Sequence, residues 1–126
     1  MIFDTDILIW FLRGNEKAAH AIEKEVLRKI STITYLELLQ GVKNKQESKE
    51  IRNFISDYSF EVIPLSENIC HRAIIYMEQY GLKVDICLSD VLIAASAVET
   101  NEVLYTGNPK HYRIIPDLEI KQFCVQ

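Results

Sequence analysis

Short apolar runs alternate with stretches of helical period along this chain, and that alternation constrains the fold more than any single residue does. Met1 to Phe3, Ile30 to Ile33, Phe60 to Leu65, Glu102 to Tyr105 and Leu118 to Phe123 read as strands. Between them fall Ile7 to Leu12, stopped by Arg13 and the left-handed cap expected at Gly14, and about Asn15 to Arg28, with Ala19, Ile22, Val26 and Leu27 on one face. Thr34 to Gln40, stopped by Gly41, follows the second strand, and a further helix carries Ile51, Phe54, Ile55 and Tyr58 at helical spacing. Ser66 begins a helix to Tyr80, a loop runs from Gly81 to Leu88, and Ser89 starts a helix whose run VLIAASAV is apolar nearly all round. Such a helix must be buried. A short helix spans about Pro109 to Arg113. Strands separated by helices imply an α/β fold, a three-layer α/β/α domain with a central parallel sheet of about four or five strands.

Length and composition narrow the reading further. A chain of 126 residues is expected to form a single domain, 1–126, and can bury roughly two thirds of the surface its unfolded form exposes. With 48% hydrophobic and 25% charged residues it lacks the polar bias of disorder and any apolar stretch long enough to span a bilayer. The apolar opening, Met1 to Trp10, has no basic leader and is interrupted by Asp4 and Asp6, so it reads as a strand rather than a signal peptide. Cys70, Cys87 and Cys124 lie far apart and make no C-x-x-C pair, so neither a disulfide framework nor a thiolate zinc site is supported, and a reducing, cytoplasmic setting fits best. A formal net charge of -4 argues against a general nucleic-acid coat, since phosphate binding relies on Lys and Arg.

Acidic and amide side chains at Asp4, Glu37, Asp90 and Asn108 lie near the ends of strands or the starts of helices. In a parallel sheet the strand-to-helix turns share one edge, so residues remote in sequence converge there. Each acid also has a purely structural reading. Asp4 suits an N-cap; Thr34 to Glu37 spells the T-x-x-E capping box; Asp90 at a helix start interacts well with the helix dipole. Their joint arrangement favours a metal, because three carboxylates and a carboxamide at one edge repel one another and are costly to bury without a cation. All-oxygen ligands select Mg²⁺ or Mn²⁺ over zinc. An ion of that kind lowers the pKa of its water and polarises a phosphoryl oxygen, the requirements of phosphodiester hydrolysis.

The runs IFDTDILIWFLRG ending at Gly14, STITYLELLQG at Ser31 to Gly41, SDVLIAASA at Ser89 to Ala97 and LYTGNPKHY at Leu104 to Tyr112 resemble, in order, spacing and overall length, a PIN-domain protein of the VapC toxin type. The resemblance implies a metal-dependent endoribonuclease held inactive by a small antitoxin encoded beside it, and a homodimer. It places the metal-binding acids on Asp4, Glu37 and Asp90, and the family's fourth acid on Asn108. A neutral amide there offers one weaker oxygen, which weakens the case for a second firmly held metal. Asp4 and Asp90 are the expected direct ligands; Glu37 and Asn108 either ligate or orient water. The loop GLKVDICLSD is longer than expected, and its Asp85 is a surface residue or an extra ligand.

Substrate contacts are expected at Arg13, Thr106 and Lys110, within a basic rim that also draws on Lys43, Lys45, His111 and Arg113. Lys43 and Lys45 sit in a mixed-charge run and read as solvated surface. Thr106 is also a good strand-end residue, and Asp6 either faces outward on the first helical turn or supports the ligands. Trp10, Phe54 and Tyr58 are candidates for the dimer face or simply for core. Two other classes compete with the nuclease. A phosphorylation receiver shares the acidic edge, but the chain lacks an Asp just after its third strand. A catalytically silent PIN-like binding module would keep the fold, yet it has no need of Asp4, Glu37 and Asp90.

Overall fold

The computed structural model describes residues 1–126. Five strands, β1 (Ile2–Phe3), β2 (Lys29–Ser31), β3 (Glu61–Ile63), β4 (Leu104–Thr106) and β5 (Ile120–Gln122), form one sheet in the order β3-β2-β1-β4-β5. Every neighbouring pair is parallel. Six helices accompany them: α1 (Thr5–Leu12), α2 (Glu16–Glu23), α3 (Thr32–Gln40), α4 (Lys45–Asp57), α5 (Glu67–Tyr80) and α6 (Leu88–Glu99), with a short 3-10 turn at Pro109–His111. No helix is long and apolar enough to cross a membrane.

Successive strand residues feed opposite cores, as the period of two requires. Ile2 and Leu104 join Ile69, Ala73, Val91 and Ile93 of α5 and α6 on one face of the sheet. Phe3 and Tyr105 join Ile7, Leu8, Ile22, Phe54 and Ile55 of α1, α2 and α4 on the other. The predicted three layers are therefore present, and α6 is buried along Val91, Ile93, Ala94, Ala95 and Ala97. The strand order reverses beside β1, with β2 on one side and β4 on the other. In open parallel sheets the crevice beyond the carboxyl ends of two such strands is where ligands bind. Asp4 follows β1 and Gly107 follows β4 at that crevice.

Among the boundaries that depart from the sequence pattern, three have a local reason. α2 ends at Glu23 instead of continuing to Arg28, because the Arg28 guanidinium folds back to donate to the carbonyls of Ile22 and Glu23. Val26 and Leu27, expected on its apolar face, are exposed. The second strand stops at Ser31, whose hydroxyl caps α3 by accepting from the Ile33 N–H at 3.2 Å. Thr34 therefore lies inside the helix, and the Thr34–Glu37 capping box does not form. α6 begins at Leu88, one residue before Ser89, with Cys87 as its N-cap residue. Gly14 does take the left-handed backbone expected of it, at φ 87°.

Of the residues offered for a dimer face, Phe54 is core, stacked on Phe11 at a centroid distance of 4.9 Å. Trp10 and Tyr58 pack against the same cluster. Large exposed apolar residues include Leu12 on α1 and Leu36 on α3, as well as Ile74 on α5, Leu88, and Leu82 in the loop before α6.

Candidate metal centre

Asp4 sits where β1 hands over to α1, and it is both a cap and a member of a buried polar cluster. Its Oδ1 accepts from the Thr5 N–H at 2.8 Å, the N-cap bond that starts α1. Its Oδ2 accepts from the hydroxyls of Thr106, at 2.7 Å, and Tyr112, at 3.0 Å. Asp90, at the third position of α6, accepts from the Cys87 N–H through Oδ2 at 3.1 Å. Its Oδ1 takes the Tyr112 hydroxyl at 3.2 Å, and His111 Nδ1 stands 3.4 Å from Oδ2. Two carboxylates from elements remote in sequence thus converge on one phenol. Both residues are buried.

One phenol carries one proton, so Tyr112 satisfies only one of the two acceptors at a time. Burial pushes the Tyr112 hydroxyl well above its ordinary value, reinforced by the charges of Asp4 and Asp90. Burial also raises the pKa of Asp4, a shift that Asp90 increases and that the bonds from Thr106, Thr5 and Tyr112 oppose. The cluster holds more negative charge than its donors compensate.

Asp6, in the first turn of α1, adds to that imbalance. Its Oδ2 accepts from the Gly107 N–H at 2.9 Å, while its Oδ1 is buried with no partner. Burial and the neighbouring Asp4 push its carboxyl up to about 7. Of the two readings of Asp6, the outward-facing one fails. Gly107 makes the contact feasible, because a Cβ there would stand 2.6 Å from Asp6 Oδ2.

Glu37 comes from α3 to the same neighbourhood by way of Thr5, whose hydroxyl lies 2.7 Å from Glu37 Oε1 and 3.0 Å from the Thr34 hydroxyl. Asn108 is exposed: its backbone N–H donates to Thr106 Oγ1 at 3.0 Å, and its carboxamide makes no bond to the acids. As the side chains stand, no three His, Cys, Asp or Glu residues are gathered tightly enough to hold an ion. The Tyr112 hydroxyl lies within hydrogen-bond distance of Asp4 and Asp90, and Glu37 is hydrogen-bonded to Thr5.

Thr106, expected among the substrate contacts, is fully buried and donates its hydroxyl to Asp4. It positions an acid and has no surface to offer RNA. Arg13 and Lys110 are exposed. The Arg13 guanidinium lies 5.6 Å from the Trp10 ring centroid, and Arg13 lines a groove of about 430 Å³ with Ile9, Leu12, Glu37, Val42 and Ile51. Lys43, Lys45 and Asp85 are also on the surface. Sequence reasoning missed Tyr112 as a member of the site; the signal available was its place at the end of LYTGNPKHY, one residue past the 3-10 turn.

The acids at the crevice offer carboxylate oxygens, one of them buried with no partner, and that is the donor chemistry a hard divalent cation takes.

The sequence profile of the PIN domain family matches residues 1–115. Among solved structures, a toxin-antitoxin complex from Klebsiella pneumoniae contains a chain 30% identical, with 93% of each chain covered and a TM-score of 0.78. VapBC-1 from nontypeable Haemophilus influenzae matches at 26% identity over 97% of this chain and 98% of that one, with a TM-score of 0.80. VapBC2 from Rickettsia felis, bound to a DNA fragment from its promoter, matches at 26% identity over 98% and 100%, with a TM-score of 0.79. No curated protein sequence matches.

Proposed function

The chain belongs to the PIN-domain family, and from that premise we propose that it is a metal-dependent endoribonuclease, the toxin of a toxin-antitoxin pair. What supports the reading most is the convergence of Asp4 and Asp90 on Tyr112 at the crevice between β1 and β4, with Asp6 left short of a partner beside them. Family membership removes the receiver module as a competitor. The toxin role draws on the neighbour that is a toxin-antitoxin complex and on the VapBC neighbours.

Asp4 and Asp90 would hold a Mg²⁺ or Mn²⁺ ion directly, with Glu37 and Asn108 contributing through water. When bound, such an ion supplies Lewis acidity toward a phosphoryl oxygen and lowers the pKa of water in its shell. The protein's share is positional. Thr5 N–H and Thr106 orient Asp4, and Cys87 N–H orients Asp90, so neither carboxylate is free to swing. The Thr5 hydroxyl holds Glu37 toward the crevice, where it can accept a proton from an attacking water. Arg13 and Lys110, exposed on the surface, would meet the RNA backbone and offset the net acidity of the chain. A cytoplasmic setting and a homodimer complete the proposal.

The test is cleavage of structured RNAs by purified protein with Mn²⁺, with chelator, and with the cognate antitoxin added. Cleavage that needs Mn²⁺, is lost in Asp4→Asn and is suppressed by the antitoxin is expected. Antitoxin binding without any cleavage by the wild-type protein would instead establish the silent binding module.

A further inference from the structure

Tyr112 is not a generic core aromatic. Its ring is fully buried in the cluster that holds Ile93, Leu104 and Ile115, and its backbone is tied on both sides. The Tyr112 N–H donates to the Pro109 carbonyl at 3.0 Å, and the Ile115 N–H donates to the Tyr112 carbonyl at 3.1 Å. Packing and main-chain bonds therefore fix where the hydroxyl lies, independently of the two acids it meets. At that point it stands 3.0 Å from Asp4 Oδ2 and 3.2 Å from Asp90 Oδ1.

The two acids depend on it unequally. Without the phenol, Asp4 keeps the Thr5 N–H and the Thr106 hydroxyl. Asp90 keeps the Cys87 N–H and the neighbouring His111 on Oδ2, but Oδ1 has no other donor. The phenol is also the one group that touches both carboxylates, coupling a residue of the β1–α1 turn to one of α6 across the crevice. A hydrogen bond from each carboxylate's own element orients that carboxylate alone; only a shared neighbour sets the spacing between them.

We propose that Tyr112 is a positioning residue for the metal-binding pair: its phenol, within hydrogen-bond distance of both carboxylates and donating its one proton to either in turn, is a cross-brace that keeps Asp4 and Asp90 as neighbours and thereby sets how tightly they take a divalent cation. This rests on the nuclease reading above. The removal of such a supporting hydrogen bond weakens metal affinity by roughly 10- to 100-fold.

Isothermal titration of Mn²⁺ into chelator-treated protein tests it, using wild type, Tyr112→Phe and Tyr76→Phe. The last variant is the control, because Tyr76 is another buried phenol that donates to a carboxylate, Asp117, at 3.1 Å away from the crevice. Tyr112→Phe is expected to keep its circular dichroism and bind Mn²⁺ about 10-fold or more weakly. Its RNA cleavage should recover toward the wild-type maximum as Mn²⁺ is raised. Tyr76→Phe is expected to lose stability and bind Mn²⁺ as wild type does. Equal Mn²⁺ affinity in wild type and Tyr112→Phe overturns the brace alone, as does an equal weakening in both variants. A wild-type protein that takes up no Mn²⁺ overturns both the brace and the metal-dependent nuclease. Should Tyr112→Phe fail to fold, the ¹³Cζ resonances of the six tyrosines in wild type, titrated with Mg²⁺, decide. One tyrosine resonance moving in step with ion uptake supports the brace, and none moving overturns it.

Discussion

Carboxylates gather in two regions of this molecule, and they are neutralised in opposite ways. Away from the crevice, each acid of the networks has a cation. Glu102 meets Lys29 at 3.0 Å and the terminal amino group at 2.5 Å, while Arg72 joins Glu99 and, at 3.1 Å, Asp117. Burial pulls Glu102 upward, but the amino group and Lys29 outweigh it and leave the carboxyl below its ordinary value. At the crevice Asp4, Asp6 and Glu37 are met by hydroxyls and backbone N–H groups, and only His111 approaches, beside Asp90. Burial there pushes Asp4 and Asp6 upward. The first arrangement pairs its acids with cations of the chain; the second leaves its acids to hydroxyls and backbone N–H groups.

Replacing Asp4 should break the contrast most sharply. Asp4→Asn is expected to reduce Mn²⁺-dependent RNA cleavage by on the order of 10³-fold, as loss of a direct ligand would. The same substitution should raise the chelator-treated melting temperature by a few degrees, because Asn still caps α1 and its amide can donate to the Tyr112 oxygen while that phenol donates to Asp90. A lower melting temperature would mean that the carboxylate matters to the fold as a cap more than it strains it.

Glu37→Gln comes next. Since Ser31, not Thr34, caps α3, the amide should leave helix stability nearly untouched while cleavage falls by roughly 10²-fold, as expected for a proton acceptor. Ser31→Ala should show the converse, a loss of about 1 kcal/mol in stability measured by urea unfolding. Full Mn²⁺-dependent cleavage by Glu37→Gln would remove Glu37 from the reaction.

Asp6 carries the pH dependence. Its folded value of about 7 lies above its ordinary 3.8, so between those values the folded state binds the extra proton. The metal-free protein should therefore lose stability as pH rises from about 4 to 7 and level off above. Asp6→Asn should flatten that slope and add about 1 kcal/mol near pH 7.5, an allowance for partial exposure, while making no difference below pH 4. Denaturant melts of chelator-treated protein across this range check it; a stability that climbs with pH in that window contradicts the uncompensated cluster.

The smallest effect belongs to the neutralised region. Glu102→Gln should cost less than about 1 kcal/mol at neutral pH and leave cleavage and Mn²⁺ binding unchanged. Because the folded carboxyl is depressed, that contribution should disappear as the medium is acidified through the folded value. A variant that altered Mn²⁺ binding would join two regions that the structure keeps apart.

Asp4 and Asp90 were legible in the sequence because each stands at the start of a helix pattern, where local periodicity already marks the turn. Glu37 was legible as an acid but not in its bonding. The T-x-x-E spelling is a local signal, and it lost to Ser31, which the strand presents three residues earlier. Tyr112 was hidden, and the choice between the two readings of Asp6 was open, for a different reason. Their decisive partners, Asp4 and Gly107, are 108 and 101 positions away, so nothing short of the strand order β3-β2-β1-β4-β5 brings them together. Thr106 was seen as a hydroxyl near the edge, but which way it faces depends on the register of β4 against β1. The three layers were the easiest part, since alternation and one all-apolar helix leave few other ways to cover a sheet.

The most direct test of the central claim is the melting temperature of chelator-treated protein titrated with Mn²⁺, in wild type and in Asp4→Asn. An ion that binds only the folded chain at 100 times its dissociation constant adds about 2.7 kcal/mol. A saturable rise of several degrees is expected in wild type and none in Asp4→Asn. A wild-type melting temperature that Mn²⁺ does not move would contradict it.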